Sequence, residues 1–171
     1  MPLALAELNQ ADAAAFTAAL GHLFEHSPWV AGGTWPRRPF RDAAQLHAGL
    51  CATMRAATVE QKLALIRAHP DLAGRLAHQG KLTAESTREQ SGAGLHALAA
   101  EERAEFQRLN EAYRARFGFP FIICARLNDK AAIVTAMRAR QTNSADAEFE
   151  TALGEIEKIA RLRLDDVLKH P

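Results

Sequence analysis

The chain has 171 residues, which is enough for one domain with a sizeable hydrophobic core. Its 21 lysine and arginine residues nearly balance its 20 aspartate and glutamate residues, which argues against nucleic acid or an anionic membrane surface as a partner. Cys51 and Cys124 lie in apolar segments without C-x-x-C spacing, which favours buried free thiols in a reducing compartment. No stretch predicts a membrane span or a secretory signal, so we expect a cytoplasmic protein that acts on a small molecule or a protein.

Apolar residues recur at helical spacing in the first part of the chain. A first helix carries Phe16, Leu20 and Phe24 and is expected to end at Ser27. The loop AGGTWPRRP follows, because its glycines and prolines sustain neither regular structure. A second helix is marked by Leu46, Leu50 and Met54, which are spaced one turn apart.

A third helix is expected to begin at the capping box Thr58-Val-Glu-Gln61 and to end near Ala68. The sequence HPDLAG breaks this helix, because proline disfavours the α conformation in the residue before it and cannot donate a backbone hydrogen bond. The break holds His69 rigidly, and an imidazole that titrates near neutrality can donate or accept a proton. Asp71 is placed either to orient this histidine or to accept backbone N–H groups of the next short helix.

The sequence STREQSGAGL permits two interpretations. Ser86 and Glu89 have the S-x-x-E spacing of a capping box, which accounts for both residues without any ligand. Gly92 and Gly94 follow closely, so a helix here must be short and its backbone can approach another group. Gln90 adds an uncharged donor and acceptor, so the same stretch could hold a polar ring system.

The second half of the chain predicts further helices around one extended segment. The pattern LAAEERAEFQRLNEAYRARFG predicts a long helix with Gly118 as its C-terminal cap. The following FPFIICAR is strongly apolar but has no apparent partner strand, so we interpret it as extended chain within a helical core. Asn128 and Ser144 are expected to open the last two helices. Together these patterns predict an all-α fold in a single domain, residues 1–171, with about seven to eight helices, several of them short.

The last helix carries an arginine on its apolar face. Phe149, Leu153, Ile156 and Ala160 fall on one stripe with a period of 3.6 residues, and Arg163 falls on the same stripe. A buried charge without a partner costs several kcal/mol. This arginine is therefore expected to meet either an internal carboxylate or a bound anionic ligand.

The sequence HLFEH matches the H-x-x-E-H pattern of one class of zinc peptidases. On a helix, His22 and His26 would lie one turn apart and could share a metal ion beside Glu25. A third ligand at a recognisable spacing is missing, and the helix is expected to end immediately afterwards. A zinc hydrolase is thus one alternative, and a helical interaction module in which HPDL and FGFPF are packing turns is another.

Five stretches of the chain, taken in order, carry a more specific signal. They are FEHSPWVA (24–31), AHPDLAG (68–74), STREQSGAGL (86–95), LNEAYRARFGFPFIICAR (109–126) and EIEKIARLRL (155–164). Together they resemble the 2-oxo-4-hydroxy-4-carboxy-5-ureidoimidazoline (OHCU) decarboxylases of urate breakdown. The resemblance implies an all-α lyase that works without cofactor or metal, acts on the small-molecule ureidoimidazoline, yields (S)-allantoin and is commonly a homodimer.

The resemblance also implies which residues form the site. It makes His69 and Glu89 the catalytic pair, with Pro70 lining the same pocket. It assigns substrate binding to Pro70, Ser86, Gln90, the backbone at Phe121 and Ile122, and Arg163. Which member of the catalytic pair delivers the proton, and whether Glu25 and His26 take part, stays open from the sequence.

Overall fold

The computed structural model describes residues 3–168, apart from the side chains of Leu76 and His78. Over this range the fold is all-α, as predicted: ten α-helices are joined by loops and by two 3₁₀ turns, and the only β pairing is an isolated bridge between Leu3 and Leu168. The helices are α1 (Leu5–Gln10), α2 (Ala13–Leu20), α3 (Trp29–Thr34), α4 (Ala43–Arg55), α5 (Val59–Ala68), α6 (Arg75–His78), α7 (Ala84–Gly92), α8 (Ala100–Phe117), α9 (Lys130–Arg140) and α10 (Ala145–Val167). Seven of them have eight residues or more and the other three are short.

The chain divides into two compact units. The first unit contains residues up to 68 and from 157 onward, and the second contains residues 69–156. Helices α1–α5 and the C-terminal part of α10 belong to the first unit, whereas α6–α9 and the N-terminal part of α10 belong to the second. In the described range, no helix is both long and apolar enough to cross a membrane. The prediction of a single domain stays a prediction.

In the first unit, α3 packs against α2 and α4. Their apolar faces bury Phe16, Leu20, Leu46, Leu50 and Met54. The side chain of Asp12 caps α2 by accepting a hydrogen bond from the backbone N–H of Ala15 at 2.8 Å. The predicted end of this helix is wrong, because α2 ends at Leu20 and the chain continues in turns as far as Pro28.

Helix α5 has the predicted limits. Thr58 and Gln61 form a reciprocal capping box, in which each backbone N–H donates to the other residue's side chain at 3.1 and 3.2 Å. The helix ends at Ala68, one residue before the histidine that precedes proline. The capping box and the proline therefore define both ends of this helix.

In the second unit, α8 packs against α9 and ends at Gly118, which adopts a left-handed conformation with φ of 74°. Residues 119–124 then form a buried segment without helix or strand, which leads into the 3₁₀ turn Ala125–Leu127, so the predicted burial of this non-helical segment is confirmed. Ser144 precedes α10 and accepts a hydrogen bond from the N–H of Ala147, also as predicted. The predicted cap of α9 is wrong by one residue, because Asp129 occupies the N-cap position in place of Asn128.

Candidate active site

The loop HPDLAG follows α5 directly, and the side chain of His69 is buried. Gln90 on α7 binds the loop backbone twice: its Oε1 accepts from the N–H of Ala73 at 3.0 Å, and its Nε2 donates to the carbonyl of Asp71 at 3.4 Å. Ala73 has a positive φ of 50°, a conformation that costs an L-residue roughly 1–2 kcal/mol. The buried amide of Gln90 therefore stabilises an unfavourable turn and positions the loop.

Helix α8 holds the same loop from two further points. Asn110 donates its Nδ2 to the carbonyl of Leu72 at 2.9 Å. Arg114 donates its Nε to both carboxylate oxygens of Asp71, at 2.9 and 3.1 Å. Among the described residues, the carboxylate of Asp71 therefore has neither of the two roles considered for it, because it binds α8 rather than the imidazole or the next helix.

Ser86 and Glu89 lie inside α7, so their interpretation as a capping box is wrong. The helix is capped three residues upstream by Thr83, whose side chain accepts a hydrogen bond from the backbone N–H of Ser86 at 3.2 Å. Ser86 and Gln90 are buried, and Glu89 is partly exposed. Thr83 therefore supplies the N-cap, and Ser86 and Glu89 are the third and sixth residues of the helix.

Residues 119–124 contain backbone donors that have no acceptor within the described part of the chain. The N–H groups of Phe121, Ile122 and Ile123 donate no hydrogen bond to any residue that the structure describes, although all three residues are buried. A buried donor left unsatisfied costs about 1–3 kcal/mol, so such groups usually bind an ordered water or a ligand. This segment therefore offers a row of donors suited to the oxygen atoms of a polar substrate.

A buried network lies beside these donors. Arg140 donates its Nη1 to the carbonyl of Ile122 at 2.8 Å and its Nη2 to the carboxylate of Glu148 at 2.8 Å. Glu148 also accepts hydrogen bonds from the hydroxyl of Tyr113 and from Nδ2 of Asn143. Burial raises the pKa of Tyr113, and the adjacent carboxylate raises it further. No member of this network was identified as functional from the sequence.

Helix α7 packs against the 3₁₀ turn Ala125–Leu127, which directly follows residues 119–124. Burial, followed by the charges of Glu155 and Glu89, raises the pKa of the Cys124 thiol. Within the second unit, the elements that carry His69, Glu89 and the unpaired donors are therefore connected.

Arg163 lies in the first unit and is 3% exposed, as its place on the apolar stripe predicted. Its Nη1 lies 3.0 Å from Oε2 of Glu25 and donates a second, longer hydrogen bond of 3.4 Å to the carbonyl of His22. Of the two predicted kinds of partner, the structure contains the internal carboxylate. The sequence did not identify Glu25 as that partner. Its only signal was general: a buried arginine needs a carboxylate or another anion nearby.

The structure contradicts the helical geometry that the zinc alternative requires. Because α2 ends at Leu20, His22 and His26 do not lie one turn apart on a helix, and both are exposed. Glu25 is engaged by Arg163. Among the described residues, no group of three or more His, Cys, Asp or Glu side chains is arranged to hold a metal ion.

Comparison with known proteins assigns the chain to a family. The family model described as OHCU decarboxylase matches residues 9–165. This chain belongs to the OHCU decarboxylase family. The predicted family is thereby confirmed, and with it the class of enzyme, a decarboxylase.

Two of the similar decarboxylases match over almost their whole length. The OHCU decarboxylase of Mus musculus is 42% identical over 164 residues, covering 96% of this chain and 92% of its own. That of Halalkalicoccus jeotgali is 41% identical over 165 residues, with the same two coverages of 96% and 92%. A crystal structure of an (S)-allantoin synthase superposes with a TM-score of 0.80 at 29% identity. That match covers 98% of this chain and 54% of the other, so this chain spans about half the length of the synthase chain.

Proposed function

We propose that this chain decarboxylates 2-oxo-4-hydroxy-4-carboxy-5-ureidoimidazoline and protonates the product stereospecifically to (S)-allantoin, as a carbon–carbon lyase without a cofactor. The match of residues 9–165 to the OHCU decarboxylase family carries this proposal. The buried His69 on a loop held by Gln90, together with the unpaired donors at Phe121 and Ile122, adds support from the geometry.

The chemistry needs only groups that the chain itself supplies. Loss of CO₂ breaks a C–C bond and leaves an electron pair on the carbon that carried the carboxylate. The adjacent C=N bond of the substrate can accept this pair as an ene-amine, so an external electron sink is not required. The protein must hold the breaking bond in line with that π system and then deliver a proton to one face of the ureido-bearing carbon, which was the carbon of the C=N bond. The hydroxyl on the neighbouring carbon, which carried the carboxylate, loses its proton and becomes the ring carbonyl of (S)-allantoin.

The proposed roles follow from the chemistry of each group. His69 and Glu89 form the acid–base pair, because an imidazole and a carboxylate can manage the proton and the hydroxyl group of the reacting carbon. Substrate binding is assigned to Pro70, Ser86, Gln90, the backbone at Phe121 and Ile122, and Arg163. A guanidinium fork suits a planar carboxylate or ring oxygen, and the role of Arg163 rests on the family resemblance.

Purified, metal-free protein should accelerate the appearance of (S)-allantoin over spontaneous decay, measured by circular dichroism after urate oxidation and ring opening. His69→Ala and Glu89→Ala proteins that fold normally should lose roughly 100- to 10,000-fold in turnover. Matched controls are His96→Ala and Glu111→Ala, two exposed residues of the same unit. Near wild-type turnover in either site variant would contradict its role. Activity that requires stoichiometric metal would favour a hydrolase, and protein that neither turns over substrate nor is stabilised by allantoin would favour an interaction module.

We also propose that the enzyme is a homodimer in the cytoplasm. The family resemblance supports the dimer, and the free thiols of Cys51 and Cys124 favour a reducing compartment. Light scattering on purified protein should give twice the chain mass. Fractionation of the source cells should recover decarboxylase activity in the cytoplasmic fraction. A monomeric mass or an exported protein would overturn the corresponding part of this proposal.

A further inference from the structure

Arg140 contacts the segment that contains the unpaired backbone donors at two neighbouring residues. Its Nη1 donates to the carbonyl of Ile122 at 2.8 Å, and its guanidinium carbon lies 4.2 Å from the centroid of the Phe121 ring. The remaining nitrogens, Nε and Nη2, donate to the carboxylate of Glu148 at distances between 2.8 and 3.2 Å. One guanidinium therefore links the backbone and a side chain of this segment to a buried carboxylate.

The carboxylate of Glu148 is itself held in place. Its side chain is 0% exposed and accepts hydrogen bonds from the hydroxyl of Tyr113 and from Nδ2 of Asn143. The ring of Tyr113 also meets the ring of Phe121 edge-on, with centroids 5.3 Å apart. Because both partners of the ion pair have further contacts, the guanidinium cannot move without breaking several interactions at once.

The contact with the Ile122 carbonyl has a consequence for the next donor. In a planar trans peptide the C=O of one residue and the N–H of the following residue point in opposite directions. Fixing the carbonyl of Ile122 on Arg140 therefore directs the N–H of Ile123 away from this guanidinium. Rotation of this peptide plane would change the direction of a donor that no described residue satisfies.

We propose that Arg140, held by Glu148, is a positioning residue of the decarboxylase, which orients the backbone N–H groups of residues 121–123 toward the substrate. This inference rests on the proposed function. It adds a residue that contacts no reacting atom but determines how the segment binds the ureido or ring oxygens. A purely structural ion pair would contribute to stability without affecting how strongly the folded enzyme binds its ligand.

The test compares Arg140→Met and Arg140→Lys with Arg138→Met. Arg138 lies on the same helix, α9, and its exposed side chain pairs with Glu105 at 2.7 Å. Steady-state kinetics should give a KM about tenfold higher or more for Arg140→Met, because the donors lose their fixed direction. Lysine retains the charge but lacks the planar fork, so Arg140→Lys should recover only part of this loss. Arg138→Met should leave KM unchanged.

A spectroscopic measurement separates positioning from stability. In the wild-type protein, (S)-allantoin should shift the ¹H–¹⁵N resonances of Phe121, Ile122 and Ile123, and these shifts should be lost or redistributed in Arg140→Met. If that variant only melts at a lower temperature while KM and the three shifts stay at wild-type values, the ion pair is structural and the inference fails. If Arg140→Met does not fold, Arg140→Lys and Glu148→Gln are judged by the same two measurements. A wild-type protein without decarboxylase activity would instead overturn the proposed function.

Discussion

The carboxylate of Glu25 lies 3.0 Å from the guanidinium of Arg163, although 138 residues separate them in the chain. Both side chains are almost completely buried, at 2% and 3% exposure. A buried ion pair contributes little net stability when compared with well-packed apolar residues, but removing one partner leaves an uncompensated charge inside the protein. Glu25 therefore supplies a counter-charge for Arg163 and orients its guanidinium within the first unit.

Replacing Glu25 alone should destabilise the protein strongly. We expect Glu25→Ala to lower the free energy of unfolding by about 3–5 kcal/mol, measured by urea denaturation. The double variant Glu25→Leu/Arg163→Met should recover most of this loss, because it removes both charges and retains apolar volume. Equal instability of the single and double variants would indicate that packing, and not the unpaired charge, determines the effect.

Gln90 should prove to be a loop-holding residue as well as a candidate ligand residue. Gln90→Leu leaves the N–H of Ala73 without its acceptor, so we expect a loss of about 1–3 kcal/mol in stability. Hydrogen exchange at Ala73 should become faster in the same variant. Gln90→Glu retains an acceptor and should keep more of the protection at that amide. Gln107→Leu, on an exposed face of α8, is the matched control and should change stability by less than about 0.5 kcal/mol.

Local signals predicted the helix ends that depend on nearby residues. The Thr58–Gln61 box and the limit at Ala68 are both correct, because capping and proline sterics act within a few residues. The end of α2 was misplaced because Leu23 and Phe24 continue the apolar spacing of the helix. Both residues are buried in the turn that follows α2. The spacing of apolar residues therefore predicted their burial correctly but not their conformation.

Pairings between distant segments were beyond what spacing alone can predict. Helical periodicity placed Arg163 in the interior, but nothing in the sequence near Glu25 marks it as the partner. Arg140 and Glu148 likewise belong to different helices, and each resembles an ordinary charged surface residue in the sequence. Ser86 was ambiguous because Thr83, three residues upstream, is an equally good cap and takes that position in the fold.

Two glycine substitutions should have opposite effects on stability. Gly118 ends α8 with φ of 74°, where a Cβ atom is strained, so Gly118→Ala should lower the free energy of unfolding by roughly 1–2 kcal/mol. Gly154 lies inside α10, and a Cβ atom added there would meet no neighbouring atom within 4 Å, so Gly154→Ala should raise stability by about 0.5–1 kcal/mol. Thermal denaturation of both variants measures the difference. Effects of the same sign would contradict the assignment of helix end and helix interior.

The buried network around Glu148 should make stability depend on pH in the acid range. Burial raises the pKa of Glu148, but hydrogen bonds from Arg140, Tyr113 and Asn143 outweigh it and hold the pKa below its ordinary value of 4.5. The ordinary value applies to the unfolded chain, and the lowered value applies to the folded chain. At a pH between the two, the unfolded chain binds a proton at Glu148 and the folded chain does not, so stability decreases as the pH falls through this window.

Glu148→Gln cannot take up that proton and should therefore lose part of the acid dependence. Urea denaturation between neutral pH and about pH 3 should give a free energy of unfolding that falls less steeply for Glu148→Gln than for the wild-type protein. At neutral pH the same variant should be less stable, because an amide replaces the carboxylate that binds Arg140. Glu111→Gln, at an exposed position on α8, should keep the wild-type slope. If the slope of Glu148→Gln equals that of the wild-type protein, folding does not lower the pKa of Glu148, and the prediction is wrong.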